Sequence, residues 1–101
     1  MTIASKSFDF GKRDELLRDP DNAALYLADF LESGDIELFQ EGLRHVAKAQ
    51  EGGVKAMASE ANLSRESLYR SLAKDGKPKM ETITKMLAVL GLQMTVTPIH
   101  R

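Results

Sequence analysis

The stretch VKAMASEANLSRESLYRSLA, residues 54–73, decides how this chain is read. Met57, Ala58 and Ala61 place apolar groups at helical spacing, so Val54 to Ala61 predicts a short helix. Asn62-Leu63 predicts a tight turn, because Asn tolerates the left-handed backbone that such a turn needs. Ser64 is a strong N-cap for a second helix from Arg65 to Ala73. The small Ala58 sits where the two helices must cross closely, and Leu63 and Leu68 anchor the second to the core. Ser71 stands where such units usually carry an apolar residue, and Leu72 takes that role one position later. Two short helices about a three-residue turn form a helix-turn-helix pattern, whose second helix enters the DNA major groove.

The polar residues fit that geometry. The first residues of the second helix must meet base edges, and here they are Ser64, Arg65, Glu66 and Ser67, followed one turn later by Tyr69 and Arg70. Arg65 and Arg70 can pair in two-pronged fashion with guanine, while Glu66 can accept from cytosine or orient an arginine. Lys55 lies at the start of the first helix, where outward backbone N–H groups also favour phosphate. Lys74, Lys77 and Lys79 flank the loop after the second helix and could follow the same backbone.

Working outward, the rest of the chain reads as helical with short connections. Asp9 can cap a helix from Phe10 to Arg18, and Asp19-Pro20 opens the next. That second helix has Ala24, Leu27, Ala28 and Leu31 on one face and Tyr26 and Phe30 as a further stripe, and Gly34 ends it. Asp35 caps a helix burying Ile36, Phe39, Leu43, Val46 and Ala47, which Gly52-Gly53 ends. Beyond the Asp75–Pro78 turn, a last helix runs from Met80 to Leu90, with Met80, Ile83, Leu87 and Leu90 facing inward. After Gly91, Leu92, Met94 and Val96 alternate with Gln93, Thr95 and Thr97, which predicts a strand. That strand needs a partner, either residues 2–8 or its copy in a second subunit. The expected fold is all-α: a small helical bundle with one short C-terminal β-strand.

At 101 residues the chain fits one domain, 1–101. It has no Cys, which excludes a disulfide framework, a thiolate zinc site and a cysteine nucleophile. Its longest apolar run, residues 23–28, is six residues, too short to span a bilayer, and its charged first twenty residues leave no signal-peptide core. A cytoplasmic protein without a membrane partner is the expectation, nucleoid-associated when it holds DNA. The net charge of −1 hides a split. Residues 1–52 carry six basic and eleven acidic side chains, a net of −5; residues 53–101 carry eight and four, a net of +4. Charge asymmetry of this kind suggests two surfaces with different partners, one acidic and helical (1–52), one centred on the helix-turn-helix and strand (53–98).

The stretch from Leu25 to Pro98 is similar to the small probable addiction-module antidote proteins of bacteria and prophages, HigA-like antitoxins with a helix-turn-helix of the Cro/repressor type. The resemblance rests on YLADFLESGD (26–35), LFQEGLRHVAKAQ (38–50) with Gly52-Gly53, NLSRESLYRSLAKDGKP (62–78) and ETITKMLAVLGLQMTVTP (81–98). Where that family commonly has Gly in the turn, this chain has Asn62. The resemblance implies an antitoxin that neutralises a RelE/HigB-like toxin, usually a ribosome-dependent RNA-cutting protein encoded beside it. It also implies repression of the shared promoter by a homodimer on double-stranded operator DNA. Carried onto this sequence, the DNA-facing candidates are Ser64, Arg65, Glu66, Tyr69 and Arg70. No comparable motif marks residues that would meet the toxin.

Other readings are weaker. His45 and His100 lack acidic partners at ligand spacing in the sequence, so neither a catalytic site nor a metal or cofactor site is expected, and the chain does not read as an enzyme. Asn62-Leu63-Ser64 matches a glycosylation sequon, which a cytosolic protein does not present to that machinery. Met57, Met80 and Met86 fall at helical core spacings. The remaining alternative is a stand-alone prophage-type transcriptional regulator, or a protein-interaction module without a toxin.

Overall fold

Polar caps and left-handed corners divide the chain into helices. The computed structural model describes residues 10–99. Among them are six helices: α1 (Phe10–Leu17), α2 (Pro20–Ser33), α3 (Ile36–Ala49), α4 (Gly53–Glu60), α5 (Arg65–Leu72) and α6 (Met80–Val89). The expected Asp9 cap and the N-terminal segment 2–8 lie outside the described residues. Asp19 accepts from the Asp21 N–H, with Pro20 opening α2, and Asp35 accepts from the Leu38 N–H at 3.0 Å to start α3. Gly34, with φ +79°, ends α2 as predicted.

α3 is the central rod. It buries Phe39, Gly42, Leu43, Val46, Ala47 and Ala49, and α1, α2, α4 and α5 all pack on it. Gly42 permits a close approach: a Cβ there would lie 2.6 Å from the Phe30 ring of α2. Leu17, Leu43, Val46, Leu68 and Met86 are the largest fully buried side chains, drawn from four different helices. One core therefore joins the acidic and the basic parts of the chain.

Four expectations are corrected. The inner face of α2 is set by Ala23 and Leu27, with Tyr26 and Phe30 half-buried; Ala24, Ala28 and Leu31 are exposed. Packing of the aromatic pair against Gly42 turns the helix towards that side. Ile36 and Met80 are 63% and 60% exposed, because each opens its helix and overhangs the core. Gly52-Gly53 lies beyond the end of α3, which stops at Ala49, and Gly52 is the N-cap of α4. Finally, residues 92–99 form no strand, for no strand among the described residues offers them backbone partners. The start of this segment is tied down: Gly91 (φ +79°) donates to the Ala88 carbonyl and Leu92 to the Leu87 carbonyl, closing α6 in a Schellman motif.

Candidate nucleic-acid interface

The turn between α4 and α5 is built from backbone bonds. Asn62 takes φ +57°, its N–H donates to the Ser59 carbonyl, and the Leu63 N–H donates to the Ala58 carbonyl at 2.9 Å. This is again a Schellman motif, with Asn filling the left-handed position usually given to Gly. The chain then reverses at once into the Ser64 cap, whose hydroxyl accepts from the Ser67 N–H at 3.0 Å. Ala58 is buried at the crossing, and Leu68 and Leu72 are the buried residues of α5.

With those two leucines inward, the cap and the polar residues of the first six positions of α5 are turned out. Ser64, Arg65, Glu66, Ser67, Tyr69 and Arg70 are all exposed, Tyr69 by 52%. Ser71 is half-buried and Leu72, beside it, is buried. Glu66 and Arg70, one turn apart, form an ion pair at 2.9 Å on the outward face. Lys55 is exposed in the first turn of α4, which has no side-chain cap. Lys79 is the N-cap residue of α6.

The loop between α5 and α6 folds back on the end of α5. The Gly76 N–H donates to the Ala73 carbonyl at 2.8 Å, and a Cβ at Gly76 would lie 2.2 Å from the Arg70 carbonyl oxygen. Lys74 and Lys77, both exposed, flank this turn. They also border a groove of about 510 Å³ whose other wall is α3, with Ile36, Phe39 and Glu37. From that wall the two N–H groups of the Gln40 amide are shared among the carbonyls of Ser71 (3.4 Å), Ala73 (3.1 Å) and Gly76. One turn on, Arg44 donates to the Leu72 carbonyl at 3.0 Å.

Residues 5–98 match the family model of the probable addiction module antidote proteins. The chain belongs to that family. A Haemophilus influenzae protein, described only as uncharacterized, is 34% identical to it over 96 residues, which is 95% of this chain and 94% of that protein. No solved structure matches the chain. Membership in an antidote family implies a toxin as partner. Among the described residues, no helix is long and apolar enough to cross a membrane.

Sequence reasoning overlooked two features of this antidote protein. The first is the α3 clasp of Gln40 and Arg44; its only trace in the sequence is a pair of polar residues one turn apart on the flank of the buried stripe. The second is His45, which does have partners. Its Nδ1 lies 2.9 Å from the Tyr26 hydroxyl, and its Nε2 lies 3.8 Å from a Glu41 carboxylate oxygen. With the proton on Nε2, facing Glu41, the Tyr26 hydroxyl donates to Nδ1. Burial lowers the His45 pKa from its ordinary value, and the nearby Arg13 guanidinium lowers it further, against the opposing pull of Glu41. Burial likewise raises the Tyr26 pKa. Among the described residues no group of three or more His, Cys, Asp or Glu is placed to hold a metal ion.

Proposed function

We propose that this antidote protein is a HigA-like antitoxin that also represses its own promoter. In this reading α4 and α5 are a Cro/repressor-type helix-turn-helix and α5 lies in the major groove. Arg65, Arg70 and Glu66 read bases, Ser64, Ser67 and Tyr69 support them, and Lys55, Lys74, Lys77 and Lys79 hold phosphates. The observation that carries the reading is the division of α5: Leu68 and Leu72 buried, every polar residue of its first six positions exposed. A helix serving only the core would not need two arginines, a glutamate and a tyrosine on one free face.

A RelE/HigB-like toxin would meet the other half. Residues 19–43 hold seven acidic residues and neither Lys nor Arg, and all seven acids are exposed on α2 and α3 or at their caps. Such a surface steers a basic partner. Specific repression also calls for two half-sites about one helical turn, ~34 Å, apart, and so for a homodimer. Met80, Val96 and Ile99, all exposed, offer apolar surface for it.

The test is binding of the full chain to duplex DNA from its own upstream region. Retardation that weakens steeply with added salt is expected, as counterion release demands. Arg70→Ala should weaken binding by about 1–3 kcal/mol, the scale of a lost base-reading arginine. Undiminished retardation by Arg70→Ala would overturn the assigned reading face.

A further inference from the structure

We propose that Gln40 and Arg44 of α3 are positioning residues for the DNA-facing surface: their donor groups close the end of α5 and fasten the lysine loop to it. The inference rests on the DNA-binding reading above and concerns how that surface is held.

A helix leaves its last carbonyls without partners inside the helix. In α5 the Ala73 N–H takes the Arg70 carbonyl at 3.3 Å. The Ser71 and Leu72 carbonyls are then taken by Gln40 and Arg44. The same Gln40 amide reaches Ala73 and Gly76, beyond the helix. One side chain of α3 therefore ties the last turn of α5 to the loop that carries Lys74 and Lys77. The positive Arg44 also faces the negative end of the α5 dipole. Gly76 makes the fold-back possible, since any side chain there would strike the Arg70 and Ser71 carbonyls.

α5 requires such help. It has eight residues, two of them buried, and a helix that short does not stand alone. Leu68 and Leu72 fix its depth against the core, but two points on one side leave rotation and tilt open. Bonds to its terminal carbonyls close those freedoms. Base reading depends on them far more than phosphate contact does, because base edges are matched donor to acceptor.

The experiment compares two duplexes, the upstream promoter fragment and a scrambled fragment of equal length, against the full chain. Gln40→Met keeps length and charge and removes the donors. Promoter affinity should fall about tenfold, the scale of one lost base contact, with scrambled-duplex affinity unchanged. Gln50→Met is the control. Gln50 donates in the same way to the Leu17 and Val46 carbonyls, far along α3 from α5, so its loss should lower stability and leave the affinity ratio alone. Should Gln40→Met fail to fold by circular dichroism, Arg44→Met and Arg44→Lys replace it. The first should narrow the ratio and the second, which keeps a cationic donor, should restore it. Equal loss on both duplexes, no loss on either, or equal behaviour of the two Arg44 variants overturns the proposal alone. A wild-type chain that does not prefer its promoter overturns the DNA-binding reading, and this proposal with it.

Discussion

The α2–α3 hairpin and the α4–α5 unit use the same turn grammar for different ends. Each pairs a left-handed corner with an N-cap one or two residues on: Gly34 then Asp35 in one, Asn62 then Ser64 in the other. Beyond the corners they diverge. α2 and α3 have fourteen residues each, and α3 alone buries six of its own. α4 and α5 have eight residues each, and α5 buries two. The long pair holds itself together through Ala23, Leu27, Phe30 and Gly42. The short pair takes its rigidity from α3, through Gln40 and Arg44 at one end of α5. In the proposed reading α5 offers a whole face to DNA, which leaves few residues for the core, so its neighbour supplies the anchoring.

Truncating one leucine in each pair tests that difference most severely. Leu68→Ala and Leu27→Ala should each lower unfolding stability by about 2–5 kcal/mol, because both side chains are almost fully buried. Their local consequences should differ. Leu68 is half of the buried anchorage of α5, so amide exchange in residues 65–72 should accelerate beyond the global change. Leu27 sits in a helix with several other supports, and exchange there should follow global unfolding. Equal patterns would remove the distinction between the two pairs.

Adding one methyl group to a glycine in each pair is a milder form of the same test. At Gly76 the new Cβ meets backbone carbonyls, which cannot move aside, so Gly76→Ala should be destabilising by about 1–3 kcal/mol. At Gly42 it meets the Phe30 ring, which can swing, and alanine favours the helix by up to about 1 kcal/mol. Gly42→Ala should therefore change stability less than Gly76→Ala in urea titrations; the reverse order would mean the loop, not the ring, yields. The two caps come next. Asp35→Ala and Ser64→Ala should each lower stability by about 1 kcal/mol, but only the second should also reduce DNA binding.

Most of the fold was legible because caps and glycines are local signals. Asp19, Gly34, Asp35, Asn62, Ser64 and Gly91 all act where the sequence places them, and the family match agrees with the resemblance read from the quoted blocks. What failed depended on distant packing. The inner face of α2 follows from Gly42, nineteen residues away from Ala23. Alternation at residues 92–97 records a tendency to extend, but a strand exists only when another strand meets it. The clasp at the end of α5 escaped notice because Gln40 lies thirty-one residues or more from each carbonyl that it engages.

The smallest effects separate two side-chain pairs of equal spacing, and here the pairs of helices differ in kind. His45 on α3 is half-buried against Tyr26, with the exposed Glu41 beside it, whereas Glu66 and Arg70 on α5 are largely in solvent. The lowered His45 pKa means that, on acidification, the unfolded chain takes up its proton before the folded chain does. Its contribution is therefore full above the ordinary value of 6.5 and is lost as pH falls through and below it. Denaturant midpoints should decline over that range in the wild type and less in His45→Gln; parallel declines would assign the pH dependence to other groups. Glu66→Ala should shift stability by less than about 0.5 kcal/mol at any pH near neutrality, since exposed pairs at this spacing contribute little. A larger loss would mean that the pair holds α5 together. A near-zero change with altered operator preference would leave Glu66 the task that its position on the free face suggests, aiming Arg70.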